Sequence, residues 1–91
     1  MIIEDYAELN KSEIGLYLQF SGLKKRNIVI NGKNTSITLE PVFWEALQGV
    51  SESLGCSASE LCQWIKNKKS DDAPLTSAIR VFLMAYHKLS D

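Results

Sequence analysis

Polar and apolar residues alternate in the run TSITL, residues 35–39, and the run KRNIVI, residues 25–30, ends in β-branched residues. Alternation with a period of two is typical of a half-buried strand. Asn31-Gly32 lies between the runs, and this dipeptide is the strongest short signal for a two-residue hairpin turn. The pattern therefore predicts a β-hairpin over residues 25–39.

The hairpin should have one apolar face and one polar face, because side chains alternate along each strand. The residues predicted on the apolar face are Ile28, Ile30, Thr35, Ile37 and Leu39. Those predicted on the polar face are Lys25, Asn27, Val29, Asn34, Ser36 and Thr38. We expect the first face to be buried and the second to face outward.

Two helices are predicted directly after the hairpin. The first covers Pro41–Leu54, because proline suits the first helical position and Gly55 suits a left-handed C-cap. The second covers residues 58–68, since Ser57 and Glu60 have the spacing of a capping box. The apolar stripes are Phe43, Ala46, Leu47, Val50 and Leu54 in the first, and Ala58, Leu61, Cys62 and Ile65 in the second.

A third helix is predicted over residues 74–89, with Pro74 as its first residue and Asp72 or Ala73 near the cap. Its apolar positions are Leu75, Ala78, Ile79, Phe82, Leu83, Tyr86 and Leu89. Val81 and Met84 add apolar surface on its other sides. A chain of 91 residues cannot cover all of this surface, so we expect an oligomer.

Residues 1–23 have a less decisive pattern. Ile2, Tyr6 and Leu9 suit a helix, whereas residues 14–20 suit either a strand or a helix. We favour helix. The sequence thus predicts an N-terminal extension over residues 1–23 and one domain over residues 24–91.

Charge sharpens this division. Residues 1–23 carry four carboxylates and one lysine, and the whole chain has a net charge of −1. In contrast, residues 24–39 carry four basic side chains and no acidic one. The hairpin is therefore the one uniformly basic segment of the chain, and the extension before it is acidic.

Other classes of protein lack support in this sequence. No apolar run approaches the roughly 18 residues that a membrane helix needs, and the acidic N-terminus is unlike a signal peptide, so we expect a cytoplasmic protein. Cys56, Cys62 and His87 do not have a zinc-site spacing. We find no nucleophile paired with a base and no phosphate-binding glycine loop. We therefore expect no catalytic residues, no metal and no cofactor.

A strand that runs straight into two helices resembles the ribbon-helix-helix superfamily, the Arc/MetJ class of DNA-binding proteins. More narrowly, the chain resembles a bacterial subfamily with a β-hairpin and a third helix. The segments that carry the resemblance are Thr35–Pro41 (TSITLEP), Phe43–Leu47 (FWEAL), Ser57–Leu61 (SASEL) and Leu75–Phe82 (LTSAIRVF). The resemblance covers Lys25–His87. It implies a mainly α fold with a short β-ribbon, a dimer of ribbon-helix-helix units with an additional C-terminal helix.

The resemblance also implies a function. The protein would be a homodimeric transcriptional regulator, repressor-like, with its ribbon in the major groove of double-stranded DNA. Base-contacting residues would be Asn34, Ser36 and Thr38, with Asn27 and Lys25 as outer candidates. Phosphate contacts would come from Lys24, Arg26 and Lys33, and from Cys56, Ser57 and Ala58 at a helix N-terminus.

A second interpretation stays open: the same dimer could be a protein-interaction module, antitoxin-like or an adaptor, that does not bind DNA directly. The acidic extension could cover the ribbon, bind a protein partner or extend the dimer. Structural roles are expected for some residues. Arg80 should pair with an acid such as Glu40, and Trp44 and Trp64 should serve packing or dimer contacts.

Overall fold

The computed structural model describes residues 11–19 and 21–90. The elements in chain order are α1 (Lys11–Gln19), β1 (Lys24–Ile30), β2 (Lys33–Leu39), α2 (Pro41–Leu54), α3 (Ala58–Lys68) and α4 (Leu75–Leu89). The prediction of helix is confirmed over Lys11–Gln19, while the helical pattern of Ile2, Tyr6 and Leu9 lies outside the described residues. A mainly α fold with a short β-hairpin and an additional C-terminal helix is also confirmed.

The strands β1 and β2 form an antiparallel two-stranded sheet. Asn31 and Gly32 both have positive φ, 52° and 78°, as a type I′ turn requires. The turn sets the register, in which Ile30 lies opposite Lys33 and Lys24 lies opposite Leu39. The predicted hairpin therefore forms, and β1 begins one residue earlier than predicted.

The helix ends follow local sequence signals. Gly55 caps α2 in the left-handed conformation with φ 71°. Ser57 and Glu60 form the predicted capping box, since each side chain accepts a hydrogen bond from the other's backbone amide. The prediction for α4 was wrong by one residue. Pro74 is its N-cap and has extended backbone with ψ 144°, so the helix begins at Leu75 and neither Asp72 nor Ala73 is the cap.

One apolar core joins the hairpin to the last three helices. Its buried members are Ile30, Ile37, Leu39, Trp44, Leu47, Val50, Leu61, Cys62, Ile65, Ile79 and Leu83. The predicted apolar stripes were wrong at the last residue of α2 and of α4, because Leu54 is 52% exposed and Leu89 is 81% exposed. Trp44, which the pattern left out of the stripe, is buried instead.

The last helix, α4, closes this core within a single chain. It contacts β2, α2 and α3, and its fully buried residues Ile79 and Leu83 lie in the same cluster as Ile37 of the sheet. A hairpin alone would be marginal in water. Here its apolar face is covered by helices of its own chain, and the sheet and the helices bury one common core.

Candidate nucleic-acid interface

Five polar side chains of the hairpin and Val29 lie on one face of the sheet, opposite the face that packs on the helices. The register pairs Lys25 with Thr38, Asn27 with Ser36, and Val29 with Asn34, and side chains opposite each other on antiparallel strands share a face. We call these six residues the outer face. All of them are exposed except Thr38, which is half-buried. The structure thus brings together every residue that the sequence analysis assigned to base contact.

The two long edges of this sheet differ. On β1, the Val29 carbonyl accepts a hydrogen bond from the Ser59 hydroxyl of α3, so this carbonyl points away from β2. Since residues opposite each other in a non-hydrogen-bonded pair both point outward, the backbone groups of Asn34 also point away from β1. By the same alternation, the amides and carbonyls of Ser36 and Thr38 face outward along β2.

The basic side chains of the hairpin do not share one face. Lys25 is on the outer face, whereas Lys24 and Arg26 alternate with it and lie opposite Leu39 and Ile37 on the inner side. Both remain exposed because they are at the open end of the hairpin. Lys33 is exposed at the other end, next to the turn.

Trp44 fixes the open end of the hairpin against α2. Its indole Nε1–H donates to the Lys24 carbonyl at 2.9 Å, and the Arg26 guanidinium carbon lies 5.2 Å from the centre of its ring. A guanidinium over an aromatic face is attracted by the ring's quadrupole. Arg26 is therefore held along α2 rather than free on the outer face.

A groove of about 730 Å³ separates this end of β1 from α2. Its lining is mixed in charge: Lys24, Lys25 and Arg26 on the strand side, and Glu45, Gln48 and Glu52 on the helix side. The Glu45 carboxylate of α2 raises the pKa of Tyr17 on α1, because it favours the protonated hydroxyl. Tyr17 and Glu45 also line one small cavity where α1 lies beside α2.

The N-terminus of α3 has fewer free amides than the sequence suggested. The Cys56 amide donates to the Ser51 carbonyl, and the Ser57 amide donates to the Glu60 carboxylate, both at 3.0 Å. Three of the predicted phosphate contacts, Cys56, Ser57 and Ala58, lie at this helix end. Of these, only Ala58 keeps a free amide, because a first-turn amide has no carbonyl of its own helix to bond. The next residue, Ser59, keeps one for the same reason.

Glu60 places a negative charge at this helix end. Hydrogen bonds from the Ser57 amide and hydroxyl hold the pKa of its carboxyl below the ordinary value. A carboxylate here is favoured by the helix dipole, as a phosphate would be. A phosphate would therefore have to approach the Ala58 and Ser59 amides beside Glu60.

Local patterns did not reveal two of the side chains that hold the sheet in place. Ser59 bonds the Val29 carbonyl, and the Gln63 side chain accepts from the Asn31 amide at 3.2 Å. Both contacts join residues about thirty positions apart. Ser59 and Gln63 are four residues apart, so they lie on the same face of α3 and can contact the same neighbouring element. The spacing does not show which element that is.

Other chemistry has little support in residues 11–19 and 21–90. Within them, no group of three or more His, Cys, Asp or Glu side chains is placed to hold a metal ion. No helix of this part of the chain is both long and apolar enough to cross a membrane. Burial raises the pKa of the Cys62 thiol to about 11, so this cysteine stays protonated, and both cysteines are free.

Comparison with known proteins gives two matches. The ribbon-helix-helix domain family matches residues 23–87. Among solved structures, the fold is similar to an uncharacterized protein from Bordetella pertussis Tohama I, with a TM-score of 0.65 and 20% sequence identity, over 96% of this chain and 67% of that one. No curated protein matches the chain. At this identity the structural match concerns the fold alone.

Proposed function

The chain belongs to the ribbon-helix-helix domain family, and on this premise we propose that it is a transcriptional regulator that binds double-stranded DNA as a homodimer. The carrying observation is the outer face of the hairpin. Hydrogen-bonding side chains stand exposed on a sheet whose other face is buried on helices. Exposed Asn, Ser and Thr side chains on a rigid sheet can bond to base edges in a major groove. Domains of this family typically have no enzymatic activity.

The dimer in this proposal forms through β2. Its outward amides and carbonyls are available for a second strand, whereas on the β1 side α3 contacts the turn end of the hairpin, where Ser59 bonds the Val29 carbonyl and Gln63 accepts from the Asn31 amide of the turn. Pairing β2 with its two-fold mate gives a ribbon in which both β2 strands are central and both β1 strands are lateral. Unpaired strand edges readily pair with another chain.

The width of the major groove then indicates which strands would contact bases and which would contact the DNA backbone. Strands are spaced about 4.8 Å apart, so the two lateral strands of a four-stranded ribbon lie about 14 Å apart. The major groove is about 12 Å wide. Asn34, Ser36 and Thr38 on β2 would therefore reach base edges, while Lys25 and Asn27 on β1 would reach the sugar–phosphate walls.

Phosphate attraction comes from the ends of the hairpin. Lys24 and Arg26 stand at its open end and Lys33 beside its turn, all exposed. Such contacts are independent of sequence and weaken with salt, because binding releases counterions. The Ala58 and Ser59 amides add a donor pair at the start of α3. The amides of Cys56 and Ser57 are already bonded within the protein. These two residues would therefore lie beside the phosphate without donating a backbone hydrogen bond to it.

The test is selection of DNA fragments from a genomic or random pool, followed by affinity measurement at several salt concentrations. We expect wild-type affinity to fall as salt rises and one sequence class to be enriched. The Ser36→Ala/Thr38→Ala variant should keep the salt dependence and lose the sequence preference, because it keeps the phosphate contacts and loses base contacts.

The matched control is Ser53→Ala/Ser70→Ala, which removes two exposed hydroxyls away from the hairpin. It should select the same sequences as the wild type. Absence of wild-type binding to every fragment at low salt would contradict the proposal. So would an unchanged preference in the Ser36→Ala/Thr38→Ala variant.

A second candidate, a protein-interaction module, is favoured by a different observation. Val81 and Met84 on α4 are 68% and 69% exposed, and Trp64 on α3 is half exposed. A contiguous exposed apolar patch can mark a contact site for another protein. The same DNA selection separates the two, because an interaction module that does not bind DNA would enrich no sequence.

A further inference from the structure

The contact between α3 and α4 leaves an apolar surface that the proposed DNA contact does not use. Two adjoining cavities of about 320 and 310 Å³ lie on it, one on each side of Trp64. Trp64 and Phe82 line both cavities, and their rings meet edge to face with centroids 5.8 Å apart. We call the surface of these two cavities the α3–α4 face. A half-exposed tryptophan therefore lies at its middle.

Charges of opposite sign lie at the two ends of the α3–α4 face. Glu60, Trp64 and Lys68 follow one another at intervals of four residues, so they share one side of α3. Glu60 lines the cavity before Trp64, and Lys68 lines the cavity after it. The Lys68 ammonium lies 5.9 Å from the centre of the Trp64 ring. The face is thus negative at one end, apolar in the middle and positive at the other end.

The Glu60 carboxylate can bind a cation while it caps its own helix. Hydrogen bonds from Ser57 hold the pKa of this carboxyl below its ordinary value, so Glu60 is ionised at neutral pH. Its Oε1 accepts from the Ser57 amide at 3.0 Å. A carboxylate has lone pairs for further donors, and Glu60 is exposed. An ammonium group can therefore reach it without opening the capping box.

We propose that a second copy of the chain binds the α3–α4 face through its own α3–α4 face, across a two-fold axis near Trp64. In such an isologous contact the same patch of both copies meets itself in reversed orientation. Glu60 of each copy then meets Lys68 of the other. The two Trp64 rings lie between these two ion pairs.

The exposed apolar side chains fit the same symmetry. Leu54 lines the cavity on the Glu60 side and is 52% exposed, while Val81 lines the cavity on the Lys68 side and is 68% exposed. The two-fold axis places the half that contains Leu54 against the half of the second copy that contains Val81. Both side chains lose contact with water in this arrangement, which is favourable. Apolar burial and charge therefore favour the same orientation.

A partner segment with one sign of charge fits this face less well. An acidic segment along it would meet Lys68 at one end and Glu60 at the other, and a basic segment would meet the reverse conflict. Like charges brought together at an interface cost affinity. A second copy avoids this cost, because its own polarity is reversed by the two-fold axis.

The contact is separate from the proposed pairing of strands and does not rest on it. No residue of β2 lines either cavity. The face is small, and small interfaces are typically weak or transient. We therefore expect association through it above micromolar concentration, where it would join two β2-paired dimers.

The first experiment follows the full chain from micromolar to millimolar concentration by sedimentation and by the NMR signal of the Trp64 indole N–H. We expect the mass of the sedimenting species to double and the Trp64 signal to shift with it. The Trp44 signal should stay, since its N–H is bonded to the Lys24 carbonyl. The doubling can be read from a monomer or a dimer, so a failure of β2 pairing would not hide it. A mass and a Trp64 signal that are independent of concentration would overturn the proposal.

Charge reversal tests the orientation of the two copies. Lys68→Glu places acids opposite each other and should abolish the doubling, and Glu60→Lys should do the same with two cations. A mixture of these two variants should associate again, because both ion pairs re-form between them. The matched control is Lys66→Glu, the same change at an exposed lysine of α3 that lines neither cavity, and it should associate like the wild type. Equal effects of Lys68→Glu and Lys66→Glu, or a mixture that does not associate, would contradict the proposal.

A second pair of variants leaves the capping box intact. Val81→Asp should weaken the association about tenfold or more, because the contact would bury an unpaired carboxylate. Met84→Asp is its control, with 69% exposure on the same helix but outside the lining of both cavities, and should have no such effect. An unchanged Trp44 signal verifies that each variant is folded. Equal weakening by the two variants would overturn the proposal, as would a Trp64 signal that shifts only when a different protein is added.

Discussion

Glu40 lies between β2 and α2, and its backbone carbonyl and its side-chain carboxylate have different partners. Its carbonyl accepts hydrogen bonds from the amides of Phe43 and Trp44 and so begins α2. Its carboxylate binds Arg80 on α4 at 2.6 Å, as the sequence analysis expected. The Arg80 guanidinium also lies over the Phe43 ring, 5.4 Å from its centre. One residue therefore connects the end of the ribbon to the last helix.

This pair predicts a pH dependence of stability. Hydrogen bonds from Arg80 lower the pKa of Glu40 in the folded protein. Its contribution is therefore present above the ordinary glutamate pKa, about 4.3, and is lost as pH falls from there through the lower folded value. We expect Glu40→Gln to lower Tm at neutral pH and to flatten the fall of Tm in that acid range.

Thermal unfolding followed by circular dichroism from pH 7 to pH 3 measures both effects. Glu52→Gln is the control, since it changes an exposed glutamate of α2 whose side chain accepts a hydrogen bond from the exposed Gln48. Its Tm curve should parallel that of the wild type. A Glu40→Gln curve that also parallels the wild type would show that the pair adds no pH-dependent stability.

At the scale of elements, a short connection with a cap on each side fixes the position of α3 relative to α2. Gly55 turns the chain out of α2, and its amide and that of Cys56 bond the carbonyls of Glu52 and Ser51. Ser57 begins α3 two residues later. With almost no loop between the two helices, their crossing depends on the left-handed backbone at Gly55.

Two glycine substitutions should therefore have opposite effects. Gly55→Ala should lower the free energy of unfolding by about 1–2 kcal/mol, the cost of a left-handed conformation for a residue with a Cβ. Gly49→Ala, inside α2, should raise it by about 0.5–1 kcal/mol because alanine favours a helix. A new Cβ at either position meets no atom within 4 Å, so neither effect involves a clash. Urea unfolding of both variants tests this, and equal signs would contradict it.

These elements also show which features of the fold can be predicted from neighbouring residues in the sequence. Asn31-Gly32, the Ser57–Glu60 box and Gly55 specify backbone conformation within four residues, and each forms as predicted. The bonds from Ser59 to Val29 and from Trp44 to Lys24 join distant elements. No periodicity along one helix reveals such a partner. The outer face was predictable because strand alternation is strict, whereas the position of Arg26 over Trp44 was not.

At the scale of the whole molecule, the proposed dimer contact lies apart from the core that one chain buries. The core of one chain includes the inner face of the sheet, α2, α3 and α4. The edge of β2 is the part of the sheet that a second copy would use. A variant that blocks only this edge should therefore remain folded.

Proline substitutions test which edge is used, since proline cannot donate a backbone hydrogen bond. Ser36 and Asn27 lie opposite each other, and the amide of each points away from the partner strand. We expect Ser36→Pro to sediment as a folded monomer. The wild type and Asn27→Pro should sediment at about twice the chain's 10.2 kDa. A monomeric wild type at micromolar concentration, or a monomeric Asn27→Pro variant, would exclude pairing through β2.

NMR titration of the full chain with duplex DNA at low salt tests whether the outer face of the hairpin contacts DNA. We expect the amide and side-chain signals of Lys25, Asn27, Asn34 and Ser36 to change most, while the Trp64 indole signal stays at its free position. Signals that change mainly at Trp64 and Phe82, between α3 and α4, or no change at all, would show that the outer face does not bind DNA.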